Sequence, residues 1–153
     1  MLESSPRVYV TADGDPQIGN FLTPINNSPA VRLLIQWLPI NRPGVASISR
    51  GLEIGMAHGY WLVGPFTMLG PLRAESFGSV VGLLGACGVV LLMTIALSIY
   101  GYATPGVDTP VGDSKGWSEF SAGFLIGGIG GAIVAYLLLA NSELVLSGFN
   151  LAL

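Results

Sequence analysis

The chain has one cysteine and one histidine among its 153 residues, and only 10% of its residues are charged. A single cysteine, Cys87, excludes an intrachain disulfide and any Cys-cluster metal site. Set inside an apolar run, it reads as a small buried hydrophobe. Six basic residues against nine acidic ones leave a formal charge of −3, so no basic stripe exists for a phosphate backbone, and nucleic acid is excluded as a partner. The opening twenty residues, MLESSPRVYVTADGDPQIGN, hold three acidic residues and one arginine and no basic start leading into an apolar core. That pattern fits neither a secretory signal nor an organelle transit peptide, and the chain is expected to begin as it is used.

What is abundant is apolar: 51% of the residues are hydrophobic and the mean hydropathy is +0.66, which points to lipid as the solvent. Three segments are long enough for the roughly 20 helical residues that cross a hydrocarbon core: Ser47 to Leu69, Val80 to Tyr100, and Phe120 to Ala140. The expected fold is therefore an all-α membrane protein with three transmembrane helices over residues 47–140. Residues 1–46 carry six prolines that break long regular elements, so they read as an extended, proline-rich surface arm in which AVRLLIQWL makes a short amphipathic helix. Residues 141–153 are apolar but too short to span, and are expected at the interface or against a partner. Arg7, Arg32, Arg42 and Arg50 precede the first span and Lys115 lies in the second connection, whereas Arg73 stands alone on the other side. The excess of positive charge puts the N-terminus on the cytoplasmic side and the C-terminus opposite. Trp117, Tyr100 and Tyr102 fall at the edges of spans and read as interfacial anchors.

Small residues recur every four positions at Gly51, Gly55 and Gly59, and again at Gly123, Gly127, Gly131 and Ala135. Such stripes let helices approach closely in lipid, where packing drives association. They are open to two uses: helix against helix within the chain, or a flat macrocycle laid on part of a stripe beside His58. The first span is unusual in carrying Arg50, Glu53 and His58, because ionisable groups in lipid need partners. A neutral imidazole offers a nitrogen and a carboxylate an oxygen to a metal centre. Glu53 and His58 lie five residues apart, about 140° around a helix and about 7.5 Å along it, so they serve two separate sites rather than one. Arg50, three residues before Glu53, is spaced to pair with its carboxylate. The bland alternatives are a hydrogen-bonded histidine within a bundle and an ion pair at a helix end.

At these residues the segment RGLEIGMAHGYWLVGPFTMLGPLR closely resembles the signature of the photosystem I reaction-centre subunit XI (PsaL) family. GDPQIGNFLTPINNS, LPINRPGVASISRGLE and GWSEFSAGFLIGG resemble the same family, so nearly the whole chain is covered. The resemblance implies a three-span structural subunit, not an enzyme, that binds chlorophyll and carotenoid at the edge of photosystem I. It implies other photosystem I subunits, neighbouring photosystem I complexes and thylakoid lipids as partners, with oligomerisation of the complexes as one role. It places axial chlorophyll ligands at Glu53 and His58 and the chain in a thylakoid membrane, multi-pass, of cyanobacterial type. Two positions depart from the family: Ala74 stands where an acidic residue often follows the Pro-Leu-Arg, so no separate metal site is assigned, and the tail NSELVLSGFNLAL is poor in phenylalanine. Two other classes of function use the same residues. A small membrane transporter subunit would take Glu53 and His58 as a proton relay, yet the paired broken helices or repeats of such proteins are missing. A membrane hydrolase would take them as acid and base, yet no nucleophile or second carboxylate is near.

Overall fold

The computed structural model describes residues 23–25, 28–103, 109–143 and 147. These residues fold into helices α1 (Pro29–Trp37), α2 (Ser47–Leu69), α3 (Gly78–Ala103) and α4 (Ser114–Ala140), with no strand among them. The chain divides into two compact units, Met1–Arg42 and Pro43–Leu153.

In the first unit α1 begins at Ser28, whose hydroxyl accepts from the amide of Val31 at 3.4 Å, and Pro29 occupies the first turn. Proline suits that position because its ring presets φ and its missing N–H would have had no helical partner. The helix stops at Leu38, which turns extended before Pro39, as a residue preceding proline is sterically driven to do.

The second unit is a three-helix bundle. Gly44 takes a φ of 74° just before it, a left-handed conformation that glycine adopts without the Cβ clash. Helix α2 covers the first expected segment, whereas α3 and α4 extend beyond the expected ones. The early start of α4 comes from Asp113, whose carboxylate accepts from the amide of Gly116 at 3.0 Å and caps the helix ahead of the apolar run. Gly51, Gly55 and Gly59 of α2 lie in turn against Phe120, Phe124 and Gly128 of α4, so the two helices run parallel. Gly82 of α3 faces Thr67, while Gly101 faces Trp117, so α3 runs antiparallel to both.

The buried centre is small, with Val63, Ala86, Ala132 and Ala135 clustered and Cys87 only half-buried at its margin. Cys87 is thus less enclosed than its apolar setting predicted, since α3 turns much of its surface outward. Leu84, Leu92 and Ile99 of α3, and Ile126 and Leu137 of α4, are exposed. Apart from the buried Phe120 and Phe124, large aliphatic groups face outward over an inner contact of small residues, the arrangement for a lipid solvent, where burying a leucine gains little and close backbone approach gains more. Thr94, Ser98, Ser118 and Ser121 each donate a hydroxyl to the carbonyl four residues back. Helices α3 and α4, of 26 and 27 residues, are long and apolar enough to cross a membrane. Helix α2 has 23 residues, about 34 Å of helix, but the ionisable residues of its first half hold its hydropathy below theirs.

Trp117, expected as an anchor just before a span, also has a packing role. It lies inside α4 and packs on Gly101, with its ring edge-on to Tyr100 at 4.9 Å and to Phe120 at 5.6 Å. The absent side chain of Gly101 makes room for the indole, so Trp117 joins α3 to α4. Ser47 adds a second tie, its hydroxyl donating to the carbonyl of Val111 at 3.0 Å. Residues 144–146 and 148–153 of the apolar tail, and residues 1–22 of the arm, lie outside the described residues.

Candidate functional site

The packing of α2 on α4 decides which way the candidate ligands face. A Cβ built on Gly51, Gly55 or Gly59 would strike the backbone carbonyl of Phe120, Phe124 or Gly128, and one on Gly123, Gly127 or Gly131 would strike that of Ile48, Leu52 or Met56. Both stripes are therefore consumed by one reciprocal helix contact. The alternative of a macrocycle lying on a stripe is overturned, because each stripe is already covered by the other helix.

With that face of α2 closed, His58 is left on the outside, exposed, in a continuous helix. Its Nδ1 lies 2.8 Å from the carbonyl oxygen of Ile54, four residues back. A carbonyl only accepts, so Nδ1 carries the proton and donates it. The other ring nitrogen, Nε2, then keeps its lone pair in the ring plane, directed away from the helix. The ring of Phe124 on α4 stands 5.5 Å away at 60° and supports one side of the imidazole. A histidine fixed through one nitrogen with the other left as an acceptor is the usual state of a metal-ligating imidazole, whose second nitrogen sets tautomer and orientation. In hydrocarbon an acceptor without a donor or Lewis acid is costly.

Glu53 is half-buried on the same helix. Because α2 is unbroken, the angular separation expected from sequence holds, and the two groups face different sectors. The Nδ1 proton of His58 is directed at Ile54 and not toward Glu53, so the geometry gives the proton-relay alternative no direct link between the two groups. Arg50 is 7% exposed, and its Nε donates to the carbonyl of Val45 at 2.9 Å. The arginine thus reaches back to the chain entering the helix, which satisfies one carbonyl that has no helical partner.

Reading the sequence missed two parts of the site. Phe124 belongs to another helix, and no spacing within α2 could reveal it; Ile54 could have been found, being one helical turn before His58. The second omission lies further along α2, past the last glycine pair. There an open cavity of about 370 Å³ is lined by Tyr60, Trp61, Gly64 and Pro65 of α2 and by Ala135, Leu138 and Leu139 of α4. Pro65 sits inside the helix and has no N–H to give to the carbonyl of Trp61. The larger side chains beyond Gly59 and Gly131 keep the helices from closing, and the cleft that remains is almost wholly apolar.

The sequence matches the family model described as Photosystem I reaction centre subunit XI over residues 8–144. It is 55% identical to the photosystem I reaction center subunit XI of Gloeobacter violaceus, over 86% of this chain and 88% of that one. To the same subunit of Mastigocladus laminosus it is 48% identical, over 96% of this chain and 92% of that one. The Synechocystis subunit is 47% identical, with 94% of each chain covered. Similarity at this level across the described bundle and its approach shows that the chain belongs to the photosystem I reaction centre subunit XI family.

Proposed function

We propose that the chain is a pigment-holding structural subunit at the edge of photosystem I, with His58 Nε2 and the Glu53 carboxylate each supplying one axial ligand to a chlorophyll magnesium. Membership of a photosystem I subunit family makes the other subunits of that complex its partners. The observation that carries the ligand assignment is the Nδ1 to Ile54 hydrogen bond at 2.8 Å. It fixes the tautomer, points Nε2 outward and locks the ring before any ligand arrives. Chlorophyll would supply light absorption and excitation transfer; the protein supplies position and orientation. Glu53 would act in its own sector, with Arg50 one turn before it on the same helix.

The same reading places three spans in a thylakoid membrane. Helix α2 runs parallel to α4 along the whole glycine contact, so a bilayer crossed by α4 contains α2 at the same depth. Its ionisable residues then need the partners just described. The excess of arginine before α2 orients the N-terminus to the cytoplasmic side and the C-terminus to the lumen. The apolar cleft between Pro65 and Leu139 suits an elongated, non-polar pigment such as a carotenoid. The exposed apolar faces of α3 and α4 suit contacts to other subunits and to lipid, and they also offer surfaces through which neighbouring complexes oligomerise.

The test is His58→Leu in the assembled complex. One chlorophyll should be lost or displaced while the subunit stays in place, because the glycine contact is untouched. An unchanged pigment count with that position still filled, and no water standing in for the imidazole, would refute the ligand role.

A further inference from the structure

Two polar atoms of opposite sense stand one helical turn apart on the outer face of α2. The first is the acceptor already described, His58 Nε2. The second is a donor, the indole N–H of Trp61, three residues on. Three residues carry a helix about 4.5 Å along its axis and bring it to within about 60° of its starting direction, so both side chains lie in one sector. Helical side chains lean toward the N-terminus, which lays the indole over the turn that holds Ala57 and His58. Ala57 is exposed on that turn and, ending in a methyl group, adds little bulk there. Trp61 is 74% exposed, and Tyr60 meets its ring edge-on at 6.1 Å and 86°.

The depth of Trp61 leaves its N–H with a need that lipid does not meet. Trp61 stands eight residues before Leu69, the last residue of α2, about 12 Å along the axis. That is well inside a span, away from the interfacial belt where tryptophans find headgroups. Among the described residues nothing accepts from the indole N–H. In apolar surroundings an indole N–H takes a partner, and hydrocarbon supplies none. A non-polar pigment in the cleft beside Pro65 carries no acceptor either. A chlorophyll at His58 does: it holds in one rigid plane a Lewis-acid centre for Nε2 and a conjugated keto carbonyl at its rim. We propose that Trp61 is a positioning residue of the His58 site, its indole N–H donating to the rim keto carbonyl of the chlorophyll whose magnesium His58 ligates. The proposal rests on His58 being that chlorophyll's ligand. A single axial bond leaves a macrocycle free to turn about it, and a second contact at the rim stops the rotation and so sets the direction of the transition dipole. A hydrogen bond to the conjugated keto group also lowers the excitation energy, because charge drawn onto that oxygen in the excited state is stabilised.

The experiment purifies assembled photosystem I with the native chain, with Trp61→Phe and with His58→Leu. Low-temperature absorption, resonance Raman spectra of the carbonyl stretch and pigment counts are recorded on each. Phenylalanine keeps a ring against Tyr60 and removes the N–H. In Trp61→Phe the pigment count should hold, one keto stretch should move from the hydrogen-bonded to the free position, and one absorption band should shift to the blue. That band should be the one that His58→Leu removes or displaces. Unchanged spectra in Trp61→Phe, with a chlorophyll lost or displaced in His58→Leu, overturn this proposal alone. Unchanged pigment count and spectra in His58→Leu overturn the ligand reading as well. A shift in a different band assigns the N–H to another pigment, and loss of a pigment in Trp61→Phe makes the indole a packing wall; either result overturns the proposal.

Discussion

The glycine contact can be tested with one methyl group. In Gly55→Ala the new Cβ would overlap the carbonyl of Phe124 and lie 2.8 Å from the amide of Gly128. An ordinary carbon–oxygen contact needs about 3.3–3.6 Å, so the backbones of α2 and α4 must part by about 1 Å. A gap of that size forfeits a quarter to a half of a van der Waals contact. Six stripe positions at about 0.5–1 kcal/mol each make an interface of about 3–6 kcal/mol, and the expected loss is about 1–3 kcal/mol. Overpacking in other cores costs the same amount. The control is Gly64→Ala, on the same helix with nothing within 4 Å of its new Cβ. There the gain in helix propensity should stabilise by up to about 1 kcal/mol, apart from any contact to other subunits. The assay is unfolding of the reconstituted chain in graded denaturing detergent, with helicity as the readout, followed by pigment analysis of the complexes. Because Phe124 also supports the His58 ring, Gly55→Ala should weaken chlorophyll retention as well. Equal effects of the two alanines, or a neutral Gly55→Ala, would refute the claim that the stripes are consumed by α2 and α4.

Arg50→Ala should lower pigment retention at Glu53, since a carboxylate in lipid that loses its nearby cation is held less well in place; normal occupancy in the purified complex would make the arginine incidental. Asp113→Ala removes the α4 cap and should cost about 0.5–2 kcal/mol of bundle stability, read from the same detergent titration, while pigment at His58 stays. Pro65→Ala restores a donor for the Trp61 carbonyl and lets the helix straighten; carotenoid content should fall if the cleft holds one, and unchanged carotenoid would place it elsewhere. Deletion of the whole chain should leave light-driven electron transfer intact and reduce the native-gel size of the complexes. Intact size with failed charge separation would reverse the structural assignment.

Much of this protein follows from residue order alone, because lipid imposes local rules. Helix positions were legible from apolar runs, since every backbone group in a bilayer must be satisfied within its own segment. His58 and Glu53 stood out because ionisable groups are rare in such runs, and their separation on α2 is a property of any straight helix. The family too was readable in the residues around them. Tertiary structure decided what local rules leave open. A glycine stripe is equally suited to a helix or a flat pigment, and only the reciprocal fit of Gly55 on Phe124 and Gly127 on Leu52 gave both stripes to α2 and α4. That choice turned His58 outward, brought Phe124 against its ring and left the cleft at Pro65 where larger side chains hold the helices apart. Contacts between helices depend on which faces meet, and a periodic sequence specifies the faces without naming their partners.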